Sequence, residues 1–564
     1  MNTIRKFIII LFAVLTVGGF SVSAQSENPV IDAIKKEVDR NKTELKMEGM
    51  SSPFFISYTI VDFSAYNLSA SLGKITGYNE NHRRFGLPTL LVGDYHRNNL
   101  NLSGRPFFFS PTTTSLYDNS SGIPITIWKD LDNSYKNAVE QYKTKMAVLQ
   151  QQTQTKEEQD LPDFEQTKPV NIVLQPVPVN FDKTYWENYL RKASEVAKQF
   201  PGILSSNVSL NARNVMTYTY NTEGSRYAVP VTFYQLSFTA NTRADDGQDL
   251  TQTIWVENAT LNQMPDVEAF SQRCKTVMEN LVKLKNTPII DDTYCGPVLF
   301  EGGSVGRLLE QTFFVNDKLA ASPKLVQSGA APSYYIMNGQ IQSNQQQGGN
   351  DLELMLNKKV ISRDLSIKSI TGQEFYKGQR LNGYYPVDAE GVVPDKELFL
   401  IENGVLRNML NGRKPTRKIH NSNGHARFDI VSNGVKVMAG NALITCNQTL
   451  SKEDLYKKLI ETAKEEDLDY AYIVRQYEYG INLMYKIYVA DGREELVRGA
   501  TITDAANLRS FKRILGASDK ELISSYGETQ ITLVYPEALL FEEMDVTRIP
   551  NIEFKKPYFV PKPE

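Results

Sequence analysis

Apolar positions at the start of the chain recur first at helical spacing and then at strand spacing. Ile31, Ile34 and Val38 lie three or four residues apart, directly after Asn28 and Pro29, which are typical helix-start residues. The sequence that follows is rich in β-branched and aromatic residues, broken by Gly, Asn and Pro. It predicts strands at Phe54–Asp62, Tyr66–Leu72 and Leu90–Tyr95. A helix packed on an antiparallel sheet is therefore expected.

A long polar segment interrupts this pattern. It predicts a helix from Leu131 to about Glu158, and the end of this segment, residues 150–159, is entirely polar and is expected to project into solvent. Four prolines between residues 162 and 178 then indicate a connector. Further helices are predicted at Thr184–Gln199 and Val267–Leu284.

Strand-like sequence dominates again from residue 203 to residue 257, with turns predicted at 221–225 and 245–247. The second half contains a predicted helix after Gly303, a helix capped by Ser451, and strands at its end. These elements predict an α+β fold with mainly antiparallel sheets and packed helices. The predicted organisation is a signal peptide at 1–24, an N-terminal α+β domain at 25–180, a middle region at 181–287 and a C-terminal domain at 288–564.

The first 24 residues read as a cleavable export signal. Arg5 and Lys6 precede an uncharged apolar run, Phe7 to Phe20, and small residues then lead to Ala24. A membrane-spanning helix needs about 20 apolar residues, and this run is shorter and ends in two glycines and small polar residues. The sequence therefore predicts an exported protein, with the periplasm as its location and no membrane attachment after cleavage.

Composition excludes some classes of function. The 564 residues contain 62 Lys and Arg against 65 Asp and Glu, a formal net charge of −3. No basic field is available to attract phosphate backbones, so we do not expect a nucleic-acid-binding protein. Three cysteines, Cys274, Cys295 and Cys446, are too few for a disulfide scaffold. A bridge between Cys274 and Cys295 and buried free thiols both remain open.

Three stretches of the second half carry a family resemblance. The first is Gly296–Gly302 (GPVLFEG), which leads into a helix; the second is Gly383–Gly391 (GYYPVDAEG), followed by Leu400–Leu406; the third is Asn421–Arg427 (NSNGHAR). In this order they resemble the C-terminal domain of the TldD/PmbA metallopeptidase family. A weaker echo lies at Pro536–Glu543. The match spans roughly residues 290 to 545, and the turns at 221–225 and 244–247 look like the domain that precedes it in the family.

The resemblance implies a zinc site in active members, built from a His-Glu-x-x-x-His segment and a late cysteine, with the glutamate as general base. Here the two histidine positions are Phe300 and Val305, which offer no lone pair to a metal. Only Glu301 remains, and the region around Ser525–Glu528 has no cysteine. We therefore expect no bound metal or cofactor in this chain, with zinc only in an active partner. Glu301 is named as a remnant catalytic position, but a helix-start carboxylate favoured by the backbone dipole is the preferred interpretation.

The same resemblance implies where a peptide would bind. Gly302 and Gly303 follow the glutamate, and Asn423, Gly424 and Arg427 match the family's Ser/Asn-Gly-x-x-Arg loop. These five residues are the predicted peptide-binding positions.

The residues alone raise two other chemistries, a histidine metal site and a serine nucleophile. His420 and His425 lie five apart in a Gly/Asn-rich loop with Asp429 nearby, but two solvated histidines are the preferred interpretation. His82 and His96 flank a predicted strand and would need a hairpin to meet. Ser304 lies in a Gly-x-Ser-x-Gly string at a predicted strand-to-helix turn, but no Asp or His partner is indicated.

Three hypotheses of function follow. The preferred one is a zinc-less, PmbA-like subunit that binds extended peptides by strand addition and supports proteolysis by an active TldD-like partner. The second is an active peptidase with a rebuilt site that uses Glu301 with His420 or His425. The third is a periplasmic homodimer that binds peptides without a catalytic partner.

Overall fold

The computed structural model describes most of the chain after the predicted signal. The described residues are 28–103, 112–177, 181–258, 260–290, 293–315, 318–327, 334–337, 340–343, 350–429, 434–478, 481–503, 505–527, 530–550 and 552–555. The predicted signal peptide lies outside them, so export stays a prediction. No helix in the described ranges is both long enough and apolar enough to cross a membrane.

Seven α-helices lie in the described residues. They are α1 (Pro29–Glu44), α2 (Gly122–Gln151), α3 (Lys156–Asp160), α4 (Lys183–Glu195), α5 (Val267–Lys285), α6 (Gly303–Phe313) and α7 (Lys452–Glu465). Short 3₁₀ turns lie at Val196–Gln199, Leu261–Gln263, Asp351–Met355 and Ser510–Lys512.

The strands of the first half are β1 (Pro53–Ser71), β2 (Lys74–Val92), β3 (Thr112–Thr113), β4 (Asn171–Val173), β5 (Ser205–Asn221), β6 (Arg226–Arg243) and β7 (Asp249–Asn258). Those of the second half are β8 (Tyr294–Glu301), β9 (Tyr334–Met337), β10 (Gln340–Ser343), β11 (Leu365–Ser369), β12 (Phe375–Tyr376), β13 (Gln379–Arg380), β14 (Leu398–Glu402), β15 (Val405–Leu406), β16 (Ala426–Asp429), β17 (Gly434–Val437), β18 (Asn441–Cys446), β19 (Thr449–Leu450), β20 (Tyr470–Glu478), β21 (Ile481–Tyr488), β22 (Glu494–Val497), β23 (Ala500–Ile502), β24 (Ile514–Ser518), β25 (Glu521–Tyr526), β26 (Ile531–Pro536) and β27 (Ala538–Arg548).

Local sequence explains where the helices begin. The Asn28 side chain accepts a hydrogen bond from the Ile31 backbone N–H at 3.0 Å, and Pro29 fills the first turn of α1. Ser451 caps α7 in the same way through the Asp454 N–H. The predicted helices α1, α4, α5, α6 and α7 are all confirmed within a few residues of their expected bounds.

The first half forms one seven-stranded sheet in the order β3-β2-β1-β5-β6-β4, with β7 paired to β6. Side chains alternate between its two faces. Ile56 and Tyr58 of β1 pack with α1 and α2, and Leu68, farther along the same strand, packs with α4 and α5. The opposite face, which includes Val61, contacts Phe428 of the second half. The sheet therefore stands between a layer of helices and the C-terminal part.

The second half contains two larger sheets. One has six strands in the order β15-β14-β11-β18-β26-β25, and the other has eight, β19-β24-β27-β8-β20-β21-β22 with β23 paired to β27. Helix α6 lies in the apolar core between them, with Val305, Leu308 and Phe313 fully buried. Helix α7 covers the other side of the eight-stranded sheet through Leu455 and Leu459. The predicted α+β class with mainly antiparallel sheets is confirmed.

Two local predictions were wrong. The two short strands predicted at 54–62 and 66–72 are one strand, β1, because β2 and β5 pair with it along its whole length. Helix α2 begins at Gly122, nine residues before the predicted start at Leu131. The polar segment 150–159 is mostly exposed, as predicted, and its Glu158 carboxylate binds Lys324 at 3.1 Å and Arg417 at 3.0 Å, both in the second half.

All three cysteines are free. Cys274 and Cys446 are buried, whereas Cys295 is exposed, 3.7 Å from a Glu543 carboxylate oxygen. Burial raises the pKa of Cys274 to about 12, so this thiol is unreactive at neutral pH.

Candidate functional site

Glu301 is the last residue of β8 and lies two residues before α6. Its carboxylate is almost fully enclosed and is held by groups from two other elements. Oε2 accepts hydrogen bonds from the Tyr456 hydroxyl of α7 and from Nε of Arg475 on β20, both at 3.0 Å. Lys452 Nζ lies 3.0 Å from the other oxygen, Oε1. Two cations therefore neutralise this carboxylate.

Glu301 lies at the start of α6, and its carboxylate is also bound by side chains of other elements. The contacts of Glu301 come from side chains of α7 and β20. Arg475 in turn forms a two-pronged ion pair with Glu494, at 2.8 Å for each contact. The charges thus form a chain, Glu301–Arg475–Glu494, that ties β8 to β20 and β22. A carboxylate held in this way is poorly placed to act as a general base on a free water.

The two positions that correspond to zinc-binding histidines lie in the apolar core. The Phe300 ring is fully buried and packs edge-on against Tyr477 and Phe541, with ring centroids 5.7 and 5.5 Å away. Val305 is also fully buried. Neither side chain carries a metal-binding atom, so the residues at this place do not fit a zinc ion.

Ser304 makes structural hydrogen bonds. Its Oγ lies 2.8 Å from the carbonyl oxygens of both Glu301 and Val474, which share its one proton, and accepts from the Glu301 N–H at 3.1 Å. The side chain is buried and no histidine contacts it among the described residues. It therefore fastens the strand-to-helix turn and lacks the base that a nucleophilic serine needs. A methyl group added at Gly302 or Gly303 would meet no atom within 4 Å, so open space lies beside this turn.

The loop with Asn423, Gly424 and Arg427 is tightly bound within the chain. The Asn423 amide donates to the Met409 carbonyl at 2.8 Å, and its oxygen accepts from the Asn411 N–H at 2.8 Å. Gly424 has φ +76°, and a Cβ there would lie 2.6 Å from the Pro394 backbone. Arg427 donates to the carbonyls of Ala439 and Gln530 at 2.6 and 2.7 Å. Arg427 also borders a small cavity of about 30 Å³ beside Tyr526. These residues support the loop, and whether they bind a peptide stays a prediction.

His425 is fully buried, which corrects the prediction of two solvated histidines. Its Nδ1 lies 2.8 Å from Asn423 Oδ1 and its Nε2 lies 2.7 Å from Ser369 Oγ. Because the Asn423 amide nitrogen is bound to a carbonyl, its oxygen faces the ring, which assigns the proton to Nδ1 and makes Nε2 an acceptor. Burial lowers the pKa of His425 to about 3.

The order Ser369–His425–Asn423 matches the spacing of a nucleophile, a base and an orienting group. Ser369 and His425 are both at 0% exposure, however, so the hydroxyl and the ring are shielded from solvent. A nucleophile needs access to its substrate. We therefore assign this relay to holding the 421–427 loop on β11.

The remaining histidines are separate from one another. His420 is exposed, with Nε2 3.2 Å from the Arg417 carbonyl, and His82 pairs with Asp62 at 2.8 Å. His96 lies in the turn after β2 and is not placed against His82. In the part of the chain that the structure describes, no three His, Cys, Asp or Glu side chains are grouped so that they could share a metal ion.

Asp388 and Glu390 of the second motif organise the junction between the two halves. Asp388 is buried and accepts hydrogen bonds from the N–H groups of Glu390, Val392 and Ala426 at 2.9, 2.8 and 3.0 Å. Burial raises its pKa to about 7. Glu390 accepts from the Arg413 N–H at 2.6 Å. The motif therefore shapes a turn and presents Arg413 to the first half.

A cleft of about 270 Å³ lies between the two halves of the chain. One wall is the end of β7 with Arg273 of α5, and the other is β25 with β13 and Asn382, which lies two residues after β13. Its lining is largely polar and consists of Trp255, Val256, Glu257, Asn258, Gln263, Arg273, Gln379, Arg380, Asn382, Ile523, Ser524, Ser525 and Thr532. Sequence analysis did not find this site, because its walls come from elements that are distant in the sequence.

Both main walls of the cleft are edge strands. β7 pairs only with β6, and β25 only with β26, among the described residues. The outer backbone groups of an edge strand are free to pair with another chain in extended conformation. The cleft thus offers two strand edges with hydrogen-bonding side chains between them.

Glu257 is one of the residues that line this cleft. Its Oε1 accepts a hydrogen bond from the Gln235 amide at 2.6 Å, and burial raises its pKa to about 7, against the lowering effects of Gln235 and Arg307. Arg307 of α6 lies over the rings of Trp255 and Tyr526, 5.6 and 4.8 Å from their centroids. Helix α6 therefore reaches the cleft through Arg307, one turn after the segment that begins at Glu301.

The second half of the chain matches a known protein family. Residues 326–548 match the PmbA/TldA metallopeptidase C-terminal domain. No curated protein sequence matches the chain.

Three solved structures share the fold. A suggested modulator of a DNA gyrase from Thermotoga maritima aligns with a TM-score of 0.58 and 15% identity, over 91% of this chain and all of that one. TldE from Thermococcus kodakarensis aligns with a TM-score of 0.52 and 11% identity, over 91% of this chain and 99% of that one. A second suggested modulator of DNA gyrase, from Bacteroides thetaiotaomicron, gives 0.52 and 11%, over 92% and 99%. At these identities the likeness concerns the fold alone.

Proposed function

We propose that the protein is a zinc-less member of a peptidase assembly, because residues 326–548 match the PmbA/TldA metallopeptidase C-terminal domain. In this role it binds extended peptides and supports their cleavage by a zinc-bearing partner. The metallopeptidase-related fold is shared with the structures described above. Without such a partner, this chain is expected not to cleave peptides.

The state of Glu301 carries the proposal. In a zinc peptidase the glutamate must face a metal-bound water. Here Arg475 and Lys452 neutralise it and Tyr456 donates to it. The two positions that correspond to zinc-binding histidines are occupied by Phe300 and Val305. Both pack in the apolar core and carry no metal-binding atom.

The rebuilt-site alternative has less support. His425 is enclosed between Ser369 and Asn423, and the exposed His420 contacts the Arg417 carbonyl. Neither ring is among the contacts of the Glu301 carboxylate.

The cleft between β7 and β25 is the place we propose for the peptide. An extended chain would pair with an edge strand through its backbone, which makes binding tolerant of sequence. The hydroxyl and amide groups of Ser525 and Asn382, already bonded to each other at 2.9 Å, line the same space.

We also propose that the protein acts outside the cytoplasm, on the basis of the N-terminal signal. Its peptides and its zinc-bearing partner would then be exported as well. A homodimer that binds peptides without a partner is the alternative assembly.

Metal content and peptide cleavage test the proposal together. We expect purified mature protein to keep no stoichiometric zinc after dialysis, to bind unstructured fluorescent peptides, and to cleave them only when co-expressed with an exported homologue that has an intact His-Glu-x-x-x-His segment. The variant Glu301→Gln should support cleavage in the mixture as the wild type does. His420→Ala serves as a control for the rebuilt site.

Zinc that survives dialysis, with cleavage by the protein alone that is lost in Glu301→Gln, would overturn the proposal. Loss of that cleavage in His420→Ala as well would favour the rebuilt site. His425 is unsuitable for this test, because its replacement disturbs a buried relay and therefore the fold.

A further inference from the structure

The cleft between β7 and β25 carries a cation that no acidic side chain neutralises. Arg273 lines the cleft from α5, is exposed, and has no ion-pair partner among the described residues. Most arginines that the structure describes around this region are engaged: Arg380 binds Glu374 at 3.0 Å and Arg307 binds Glu310 at 2.6 Å. An arginine left free in a concave site is suited to binding an anionic group of a ligand.

The other charged groups of the cleft already have partners. Arg380 lies on the opposite wall and is paired with Glu374. The carboxylate of the cleft, Glu257, is enclosed, hydrogen-bonded to Gln235, and faces Arg307. It therefore does not cancel the charge of Arg273. Neutral hydrogen-bonding groups such as Gln263 and Asn258 complete the surroundings.

Resting on the proposed function, we infer that this cleft selects peptides that carry a carboxylate, which Arg273 binds while the strand edges hold the backbone. Guanidinium and carboxylate match in geometry and can form two parallel hydrogen bonds. The carboxylate comes from an acidic side chain or from the C-terminus of the peptide; both present the same planar group.

Binding of labelled ten-residue peptides to the full mature protein tests this inference. Three otherwise identical peptides are compared by fluorescence polarisation: one with a central Glu and an amidated end, one with Gln and a free C-terminus, and one with Gln and an amidated end. We expect one or both carboxylate peptides to bind at least about tenfold tighter than the neutral one, and the pattern identifies which carboxylate is used. This preference should weaken as salt is raised.

The variant Arg273→Gln should remove the preference, and Arg363→Gln is the matched control, since Arg363 is exposed and lies outside the cleft. Equal binding of all three peptides would overturn the inference while leaving the proposed function intact. No binding of any peptide would overturn both. A preference that persists in Arg273→Gln would place the carboxylate site elsewhere and also overturn the inference.

Discussion

Arg413 and Glu223 form a buried ion pair, with Nη2 of the arginine 2.6 Å from Oε1 of the glutamate, although they are 190 residues apart in the sequence. The guanidinium also donates twice to the Glu165 carbonyl, at 2.9 and 2.6 Å, and stacks over the Phe164 ring at 4.2 Å. All three partners belong to the first half, whereas Arg413 belongs to the second. Arg413 therefore holds the two halves together at a point that is shielded from solvent.

The first prediction concerns this junction. Arg413→Lys keeps the charge but loses the planar fork, so we expect a loss of about 2–4 kcal/mol in the free energy of unfolding. Urea denaturation measures it. Arg417→Lys is the control, because Arg417 makes an exposed pair with Glu158, and its effect should stay within about 0.5 kcal/mol. Equal effects of the two variants would contradict the role assigned to Arg413.

A second prediction follows from His425. Its pKa of about 3 in the folded chain lies below its ordinary value of about 6.5, so the unfolded chain binds the extra proton first as the pH falls. The folded state therefore loses stability below pH 6.5, by about 1.4 kcal/mol per pH unit from this group. Denaturation between pH 7 and pH 5 should show a flatter dependence in His425→Gln. His420→Gln, at the exposed histidine, should retain the wild-type slope.

The third prediction tests the Glu301–Arg475 pair by a double-mutant cycle. Arg475→Met removes one of the two cations that neutralise an enclosed carboxylate, and should destabilise the fold by about 1–3 kcal/mol. In the background Glu301→Gln, the change Arg475→Met should destabilise the fold less, because no buried carboxylate is then left without its cation. The control is Arg493→Met, whose ion pairs are long and exposed. Additive effects would show that the pair is not coupled.

The fourth prediction compares two glycines of α6. A Cβ at Gly306 would lie 2.1 Å from the Tyr526 hydroxyl and 2.5 Å from the Tyr535 ring, whereas one at Gly303 meets nothing within 4 Å. Gly306→Ala should therefore cost about 1–3 kcal/mol through overpacking. Gly303→Ala, the same change in the same helix, should be neutral or stabilising by up to about 1 kcal/mol. The melting temperatures of both variants show whether close packing or helix propensity dominates the stability at each glycine.

The sequence predicted the helices well because their signals are local. A cap and an apolar stripe lie within a few residues of each other, as in α1 and α7. The long strands were harder. Ser64 and Ala65 look like a break between two strands, but both neighbouring strands pair with them, Ser64 with His82 on one side and with Asn214 on the other. Such pairing depends on distant sequence.

The site was predictable only in part. The lack of metal-binding atoms at Phe300 and Val305 is visible in the sequence, but the cations that neutralise Glu301 come from residues more than 150 positions later. His425 lies in a loop whose composition is typical of an exposed segment, and its burial depends on Ser369 of another strand. The cleft requires β7 and β25 to lie near each other, which no local pattern indicates.

The pairing of β1 has a consequence for how the chain is made. Its second neighbour, β5, is synthesised about 150 residues after it, so at about 5–20 residues per second one edge of β1 waits roughly 10–30 seconds for its partner. Contacts so distant in sequence form slowly, and an unpaired edge meanwhile invites association with other chains. The sheet that contributes β7 to the cleft therefore includes the first strand to be synthesised, β1, and is completed only after β5, β6 and β7 have followed.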